Sequence, residues 1–296
     1  MKKRHKILAS LSGMAVASGA FVIFESMREL SSLTVRNVKI SYNKDSETKP
    51  VRIAYFADYH EAVGGKMNSK IANAIANSNP DIILIGGDML NGYEKLEVLP
   101  SVDLIDRLYN IAPVYMAPGN HERRAEEKVY EGNELLYDRF MEGIEDKVHY
   151  LKNSSEYISV NGKWIGLYGL DLPLDYYRRM EKRELDASEM NQFLGKPESE
   201  VFSLLLAHNP EYFEVYAEWG ADLTLSGHFH GGIINIPLIG GAISPRLKVL
   251  PKYTKGMYES EKTPGKMMYL TSGIGQHSIK IKVNNIPEIV IIDLVI

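Results

Sequence analysis

The segment 225–232 reads Leu-Ser-Gly-His-Phe-His-Gly-Gly and places two histidines directly after an apolar run. Residues i and i+2 of an extended chain point the same way, so His228 and His230 can face one centre. The glycines around them allow the sharp turn that ends a strand. This pattern is a weak signal by itself. It gains weight from four upstream places where an apolar run also ends in residues that can bind a metal ion.

The four upstream runs share one design, a strand-like stretch followed by carboxylate, amide or imidazole side chains. They are residues 51–56 before Asp58 and His60, 81–85 before Asp88, 113–117 before Asn120 and His121, and 201–206 before His208. A single histidine after a strand is more often structural than a ligand. Five such clusters in one chain are hard to explain by packing alone.

Helical and strand-like patterns alternate along most of the chain. Helices are predicted at residues 67–77, 99–109, 125–141 and 211–219, and further strands at 33–40, 164–168, 222–225, 267–270 and 289–294. This alternation predicts an α/β architecture. Because ligand sites in such sheets lie at the carboxyl ends of strands, we expect all five clusters to converge on one edge.

The composition restricts which chemistry the chain can perform. The 296 residues are 45% hydrophobic and carry a formal net charge of −4, which gives no indication of nucleic-acid binding. There is no cysteine, so a metal ion must be held by histidine, aspartate, glutamate or asparagine. The length is sufficient for one large domain with a substantial core.

The N-terminal residues form a separate segment. Residues 7–24 carry no charge and follow a basic stretch at 2–6; as a helix they would span about 27 Å, enough for a hydrocarbon core. The pattern favours an uncleaved signal anchor that leaves the rest of the chain outside the cytoplasmic membrane as a single-pass protein. A signal peptide cleaved after Ala17 and a buried core helix are the alternatives. We therefore divide the chain into residues 1–32, anchor and lead-in, and 33–296, a catalytic domain.

The order Asp-x-His, Gly-Asp, Gly-Asn-His-Glu, His and Gly-His-x-His resembles the calcineurin-like metallophosphoesterase superfamily, from residue 51 to the C terminus. The resemblance implies a four-layer αββα sandwich of two mixed sheets, here preceded by the N-terminal hydrophobic helix. The glycines after the last motif and residues 239–247 are similar to a membrane-associated bacterial branch that hydrolyses lipid or nucleotide diphosphates.

The resemblance also implies a site for two divalent ions, of manganese, iron or zinc. Asp58, His60 and His230 would hold one ion, Asn120, His208 and His228 the other, Asp88 would bridge both, and His121 would be the catalytic residue facing the phosphate. Two positions depart from the family pattern. Asn91 replaces a common aspartate behind the site, and Phe229 replaces a small or polar residue, which predicts a narrower pocket.

The physics of phosphoryl transfer agrees with this ligand set. Two divalent ions about 3.5–4 Å apart can clamp an in-line displacement, and metal-bound water ionises near neutral pH to become the nucleophile. The carboxylates of Asp58 and Asp88 leave the site about +2, which attracts phosphate. His121 can donate a proton to the leaving oxygen or stabilise developing charge.

We therefore predict a membrane-anchored metallophosphoesterase that cleaves a phosphodiester or pyrophosphate bond, in a lipid or nucleotide-linked substrate, with metal-activated hydroxide. The alternatives are a phosphomonoesterase, a non-catalytic metal-binding scaffold of the same fold, and a cytoplasmic enzyme whose first helix folds onto the core. No nucleic acid and no obligate protein partner are expected.

The remaining polar features receive simpler interpretations. His149 and His277 are expected at the surface or in the core, and Asp171 is expected to cap a turn. Residues 176–180 are expected to begin a solvated helix, with phosphate or headgroup contact as the alternative. The glycine-rich stretch 233–250 is either ordinary β-structure or a surface that rests on lipid.

Overall fold

The computed structural model describes residues 24–26, 28–29, 31–42, 49–60, 64–91, 97–129, 132, 135–178, 183–232, 234–236, 240–243, 251–275 and 285–296. Nearly all of the predicted N-terminal helix at 7–24, most of the stretch 233–250, and His277 lie outside these residues. No helix within the described ranges is both long and apolar enough to cross a bilayer.

Strands and helices alternate through the central part of the chain, as predicted. The described strands are β1 (Thr34–Ser41), β2 (Val51–Phe56), β3 (Ile82–Ile85), β4 (Val114–Met116), β5 (His149–Tyr150), β6 (Ser154–Val160), β7 (Lys163–Leu170), β8 (Phe202–Ala207), β9 (Leu223–Ser226), β10 (Ile234–Ile236), β11 (Gly240–Ile243), β12 (Gly256–Glu259), β13 (Met267–Leu270) and β14 (Glu288–Val295). The α-helices are α1 (Gly65–Ser78), α2 (Leu99–Tyr109), α3 (Asn120–Glu126), α4 (Leu136–Ile144), α5 (Ala187–Leu194) and α6 (Phe213–Trp219). Short 3₁₀ helices occupy Leu174–Tyr177 and Pro210–Tyr212.

The strands form two mixed six-stranded sheets. The first has the order β1-β14-β2-β3-β4-β5, in which only the β14–β2 pair is antiparallel. The second has the order β12-β13-β9-β8-β7-β6, with antiparallel pairs at both edges and parallel strands between them. Strands β10 and β11 form a separate antiparallel pair.

Side-chain alternation along β2 shows how the sheets stack. Ile53 and Tyr55 pack with residues of the second sheet, such as Leu206, in a core between the two sheets. Ala54 and Phe56 point the opposite way and pack against helices α1 and α2. Successive residues of a strand face opposite sides, so one strand supplies two layers of the core.

The outer face of the second sheet is covered in the same way. Tyr168 and Leu205 pack with Met190 of α5 and Tyr216 of α6. The four layers are therefore helices, sheet, sheet and helices, and the predicted αββα sandwich with two mixed sheets is confirmed.

Two predictions about the fold are wrong in detail. The helix predicted at 125–141 is two helices, α3 and α4, because α3 already begins at Asn120 and ends before Lys128, which has a φ of 55°. The five polar clusters follow strands of two sheets rather than one: β2, β3 and β4 in the first, β8 and β9 in the second. Strands β5, β6 and β12 and helix α5 had no sequence prediction.

Candidate metal centre

The predicted site residues lie on five connections at the carboxyl ends of parallel strands; four are loops, and the one after β4 includes the first turn of α3. We call the loops after β2, β3 and β4 the first-sheet loops, and those after β8 and β9 the second-sheet loops. The first-sheet loops carry Asp58, His60, Asp88, Asn120 and His121, and the second-sheet loops carry His208, His228 and His230. Facing edges of the two sheets thus supply one site, consistent with the location of ligand sites in α/β sheets.

Three overlapping groups of side chains have ligand atoms within 4.8 Å of one another. They are Asp58 with His60 and His230, His60 with Asp88 and His121, and Asp88 with His208 and His228. Each group offers only oxygen and nitrogen donors, which suit manganese, iron and zinc. Seven of the eight predicted site residues are therefore brought together, and the eighth, Asn120, is buried beside His121.

The two carboxylates occupy the middle of the cluster. Asp58 Oδ1 lies 3.8 Å from His60 Nε2 and 3.7 Å from both His208 Nε2 and His230 Nε2. Asp88 Oδ2 lies 3.7 Å from His60 Nε2 and 3.0 Å from His208 Nε2. Ligands that share one ion at bond lengths near 2.1 Å are themselves separated by about 3–4 Å, so this spacing accommodates divalent ions.

The backbone is strained at these positions. Five of the nine described non-glycine residues with positive φ belong to the site, namely Asp58 (54°), His60 (46°), Asp88 (55°), His228 (72°) and His230 (49°). Such a conformation costs an L-residue about 1–2 kcal/mol and persists only where the surroundings impose it. The concentration of strain marks the loops as functional.

Backbone carbonyls orient two of the imidazoles. His60 Nδ1 lies 3.1 Å from the carbonyl oxygen of Leu90, and His208 Nδ1 lies 2.7 Å from that of Gly86. A carbonyl can only accept, so Nδ1 donates, and Nε2 is the atom left to hold either a proton or a metal ion. In both histidines it is Nε2 that points toward the carboxylates, the arrangement of a metal-ligating imidazole.

Glu122 ties the first-sheet loops together and was not predicted as a site residue. Its carboxylate accepts the backbone N–H groups of Asp88, Leu90 and Gly119 at 2.8, 2.9 and 2.8 Å. The glutamate of Gly-Asn-His-Glu stands three residues after a helix N-cap, which is the sequence signal of a capping box. Recognising that signal would have identified the Gly119 contact but not the bonds to the neighbouring loop.

Gly119 shows how closely these loops approach each other. A Cβ atom at this position would lie 2.2 Å from Asp88 Oδ1 and 2.6 Å from the backbone nitrogen of Asp88. Asp88 Oδ1 also accepts the backbone N–H of His121 at 2.8 Å. The glycine in this motif is therefore required by space rather than by a left-handed backbone.

The second-sheet loops are held by groups from other parts of the chain. Both carboxylate oxygens of Asp58 lie 3.0 Å from the backbone N–H of His228 and accept from it. The Asn285 amide donates to the carbonyl oxygens of His230 and Gly232. These contacts join residues more than fifty positions apart in sequence.

Charge coupling in the site is strong. Burial works against ionisation of Asp88, but the facing imidazoles, His208 foremost, hold the pKa of its carboxyl well below the usual range. Burial would lower the pKa of His208, but the carboxylates of Asp88 and Asp58 outweigh it and raise the pKa to about 9. Burial, and then the Asp88 charge, raise the pKa of Glu122 to about 7. A divalent ion bound by His208 would take the place of a proton.

His121 lies within the cluster rather than at the surface. Its side chain is fully buried, and its ring packs edge-on against His60 with centroids 4.7 Å apart. His149, in contrast, is half exposed, stacks on Tyr115 and pairs with Glu156, in agreement with its expected structural role.

Three expectations about neighbouring residues are wrong. Phe229 does not narrow the pocket, because its side chain is buried in a hydrophobic cluster with Phe213 and Met268. Asp171 does not cap a turn, because its buried carboxylate accepts from Arg123 Nη1 at 2.8 Å. The described part of 176–180, residues 176–178, does not begin a solvated helix.

Tyr176 and Tyr177 account for the last of these errors. Both tyrosines are buried at the end of the 3₁₀ helix Leu174–Tyr177. The ring of Tyr177 lies edge-on to His228 with centroids 5.2 Å apart and so lines the site. The charged residues that follow made this turn look solvent-exposed in the sequence.

Orphaned polar atoms test whether a metal fits these residues. Among the described residues, Asn120 Oδ1 is buried without a hydrogen-bond partner, and Asp88 Oδ2 and His208 Nε2 are buried with only each other, at 3.0 Å. Leaving buried polar atoms unpaired costs about 1–3 kcal/mol each. These oxygen and nitrogen atoms are of the kind that divalent first-row metals bind, so the residues fit such ions.

Comparison with known proteins identifies the class. Residues 51–232, more than half of the chain, match the family model described as calcineurin-like phosphoesterase. The chain therefore belongs to the calcineurin-like phosphoesterase family and is a hydrolase that acts on phosphoric ester bonds.

Individual relatives are more distant. The chain is 28% identical to phosphodiesterase YaeI of Escherichia coli over 87% of this chain and 86% of that protein. It is 24% identical to the uncharacterized metallophosphoesterase YkuE of Bacillus subtilis over 99% of both chains. It is 27% identical to a putative metallophosphoesterase of Caenorhabditis elegans over 88% of this chain and 52% of that protein.

Proposed function

We propose that this protein is a binuclear metallophosphoesterase that hydrolyses a phosphodiester or pyrophosphate bond. The observation that carries the proposal is the shared position of Asp88, whose carboxylate belongs to two separate groups of ligand atoms. A carboxylate common to two groups can bridge two ions, which is the arrangement that two-metal phosphoryl transfer requires.

Asp88 shares one group with His60 and another with His208 and His228, and His60 also belongs to the group with Asp58 and His230. The proposed ligands of the first ion would be Asp58, His60 and His230, those of the second would be Asn120, His208 and His228, and Asp88 would be common to both. Asn120 enters this set because its buried side-chain oxygen has no other partner among the described residues. Its neutral amide also avoids a third carboxylate, so the loaded site keeps a positive charge that attracts phosphate.

The proposed chemistry divides between the ions and the protein. When bound, two divalent ions would polarise the phosphoryl group and lower the pKa of a water molecule. His121 faces the phosphate and donates a proton to the departing oxygen, and Asp88 fixes the start of its helix by accepting the His121 backbone N–H. Tyr177, edge-on to His228, would restrict access to the site from one side.

The proposed setting is the outer face of a cytoplasmic membrane. The uncharged residues 7–24 after a basic stretch support a single-pass anchor, which would hold the site close to lipid headgroups. The printed name of the Escherichia coli relative, a phosphodiesterase, supports a diester bond as the first choice. The substrate that combines these points is a lipid or nucleotide-linked diester or diphosphate.

A hydrolysis panel on the full chain tests the proposal. The protein is stripped of metal and reloaded with Mn²⁺, Zn²⁺ or Fe²⁺, and then offered a nitrophenyl monoester, a bis-nitrophenyl diester and a lipid-linked diphosphate. We expect metal-dependent turnover of the diester or diphosphate, reduced at least about a hundredfold in Asp88→Asn and in His121→Ala. His149→Ala, a matched histidine outside the site, is expected to match the wild type.

The panel also distinguishes the alternatives. Faster turnover of the monoester would replace the proposed bond with a phosphomonoester. No turnover with any metal, from a chain that still binds two ions, would contradict the enzymatic function and favour a scaffold. Equal loss in His149→Ala would show that the substitutions act through stability.

A further inference from the structure

A buried chain of hydrogen bonds joins the N-terminal segment to the metal centre. Glu29 Oε2 accepts the backbone N–H of Asn285 at 2.9 Å, although 256 positions separate the two residues. Asn285 Nδ2 in turn donates to the carbonyl oxygens of His230 and Gly232. Glu29, Asn285 and His230 are only 2%, 0% and 4% exposed. This series of hydrogen bonds is therefore shielded from water, which strengthens each bond.

Asn285 fits the turn that presents His230. His230 and Gly231 have φ values of 49° and 68°, and Asn285 bonds to the carbonyl on either side of Gly231. A Cβ atom at Gly231 would lie 2.5 Å from Asn285 Oδ1, so the asparagine packs directly on the turn. A strained backbone of this kind persists only where its surroundings hold it in place.

Glu29 is the group that holds Asn285. The backbone N–H of Asn285 is buried, and without Glu29 it loses the only acceptor that the described residues give it. An unpaired buried N–H costs about 1–3 kcal/mol, which the chain can relieve by shifting Asn285 away from the turn. That shift would release the carbonyls beside His230 from their donors.

We propose that Glu29 is a positioning residue for His230, acting through Asn285. The inference rests on the proposed function, in which His230 is a ligand of the first ion. It assigns a role to the residues just after the predicted anchor: they complete the metal centre rather than only linking it to the membrane. A chain shortened to begin near residue 33 would lack this support.

Site-selective Mn²⁺ titration of the full chain tests the proposal. A His228→Ala background isolates the ion held by Asp58, His60 and His230, and a His60→Ala background isolates the other ion. In the first background we expect Glu29→Ala to weaken Mn²⁺ binding by about 10–100-fold, as loss of a partner behind a metal ligand does. In the second background the change is expected to stay within about twofold.

Two matched variants separate positioning from general structure. Glu29→Gln keeps an acceptor oxygen for the Asn285 N–H and is expected to restore Mn²⁺ binding to within about threefold of the parent. Glu25→Ala removes a nearby glutamate that instead pairs with Arg28, and is expected to change nothing. If Glu29→Ala does not fold, Asn285→Asp, which removes the amide donors at constant size, is expected to give the same selective loss.

Several outcomes would overturn the proposal. Equal weakening in both backgrounds, no weakening in either, or no rescue by Glu29→Gln would each contradict a positioning role and leave the proposed function intact. A wild-type chain that binds no Mn²⁺ would instead contradict the proposed function, and the role of Glu29 with it.

Discussion

The first-sheet and second-sheet loops carry similar ligands but are held in different ways. The first-sheet loops hold one another, since Glu122 accepts N–H groups from two of them and Asp88 accepts the N–H of His121. The second-sheet loops are held from outside: Asp58 binds the N–H of His228, and the Gly86 carbonyl orients His208. The first-sheet loops thus form a frame on which the second-sheet ligands depend. A substitution within this frame is therefore expected to disturb both sets of loops.

The largest effect on stability is expected from Glu122→Gln. In the wild type, the two oxygens of Glu122 accept three buried N–H groups. Glutamine has one acceptor oxygen, and its NH₂ group would face N–H donors that it cannot bind. We expect the metal-free chain to lose about 3 kcal/mol of unfolding free energy in urea, and both ions to bind more weakly.

Glu126→Gln is the matched control for that measurement, because Glu126 lies on the same helix and pairs with Lys152 at the surface. We expect it to cost less than about 1 kcal/mol. If Glu122→Gln and Glu126→Gln lost the same unfolding free energy, the claim that the first-sheet loops hold one another would be contradicted.

An intermediate effect is expected where the two sheets are joined beside the site. Arg123 Nη1 lies 2.8 Å from the buried carboxylate of Asp171 at the end of β7. Arg123→Met leaves that charge unpaired and should cost about 2 kcal/mol, and adding Asp171→Asn should recover part of the loss. A double-mutant cycle is expected to give about 1–2 kcal/mol of coupling; additive losses would show that the pair does not join the sheets.

The smallest effect is expected at Glu214, which lies on α6 and contacts the segment 252–262 rather than the metal site. Burial would raise the pKa of Glu214, but hydrogen bonds from Ser260, Lys252 and nearby backbone N–H groups lower it to about 2. A depressed carboxyl pKa stabilises the folded state above the unfolded value near 4.5, and that stabilisation is lost as the pH falls toward 2.

Glu214→Gln should therefore cost about 1–2 kcal/mol at pH 7, after allowance for solvent screening, and the difference from wild type should shrink between pH 4.5 and 2. Urea unfolding across this range measures it. A difference that does not change with pH would show that the loss does not come from the charge of Glu214. A changed Mn²⁺ affinity would show that residues 252–262 are not independent of the metal-site loops.

The sequence predicted what depends on local patterns. Apolar runs of strand length, separated by helical periodicity, located the central strands of both sheets. The polar residues at the ends of these runs predicted which side chains meet at the site. His228 and His230 were recognisable as candidate ligands because four other strand-like runs in the chain also end in residues that can bind a metal ion.

What escaped prediction depends on contacts that no local pattern records. The bond from Glu29 to Asn285 spans 256 positions, and neither residue stands out in the sequence. Phe229 lies between two site histidines in the sequence, yet its side chain packs in a core cluster with Phe213 and Met268. The helix predicted at 125–141 is two helices, and the end of the first before Lys128, with its φ of 55°, is not marked by a glycine or proline in the sequence.

The central claim is that two ions share Asp88, and anomalous diffraction from crystals of the Mn²⁺-loaded chain tests it most directly. We predict two Mn²⁺ peaks about 3.5–4 Å apart. One peak should lie among Asp58, His60 and His230, the other among Asn120, His208 and His228, with Asp88 between them. A single peak, or a pair of peaks that Asp88 does not bridge, would contradict the claim.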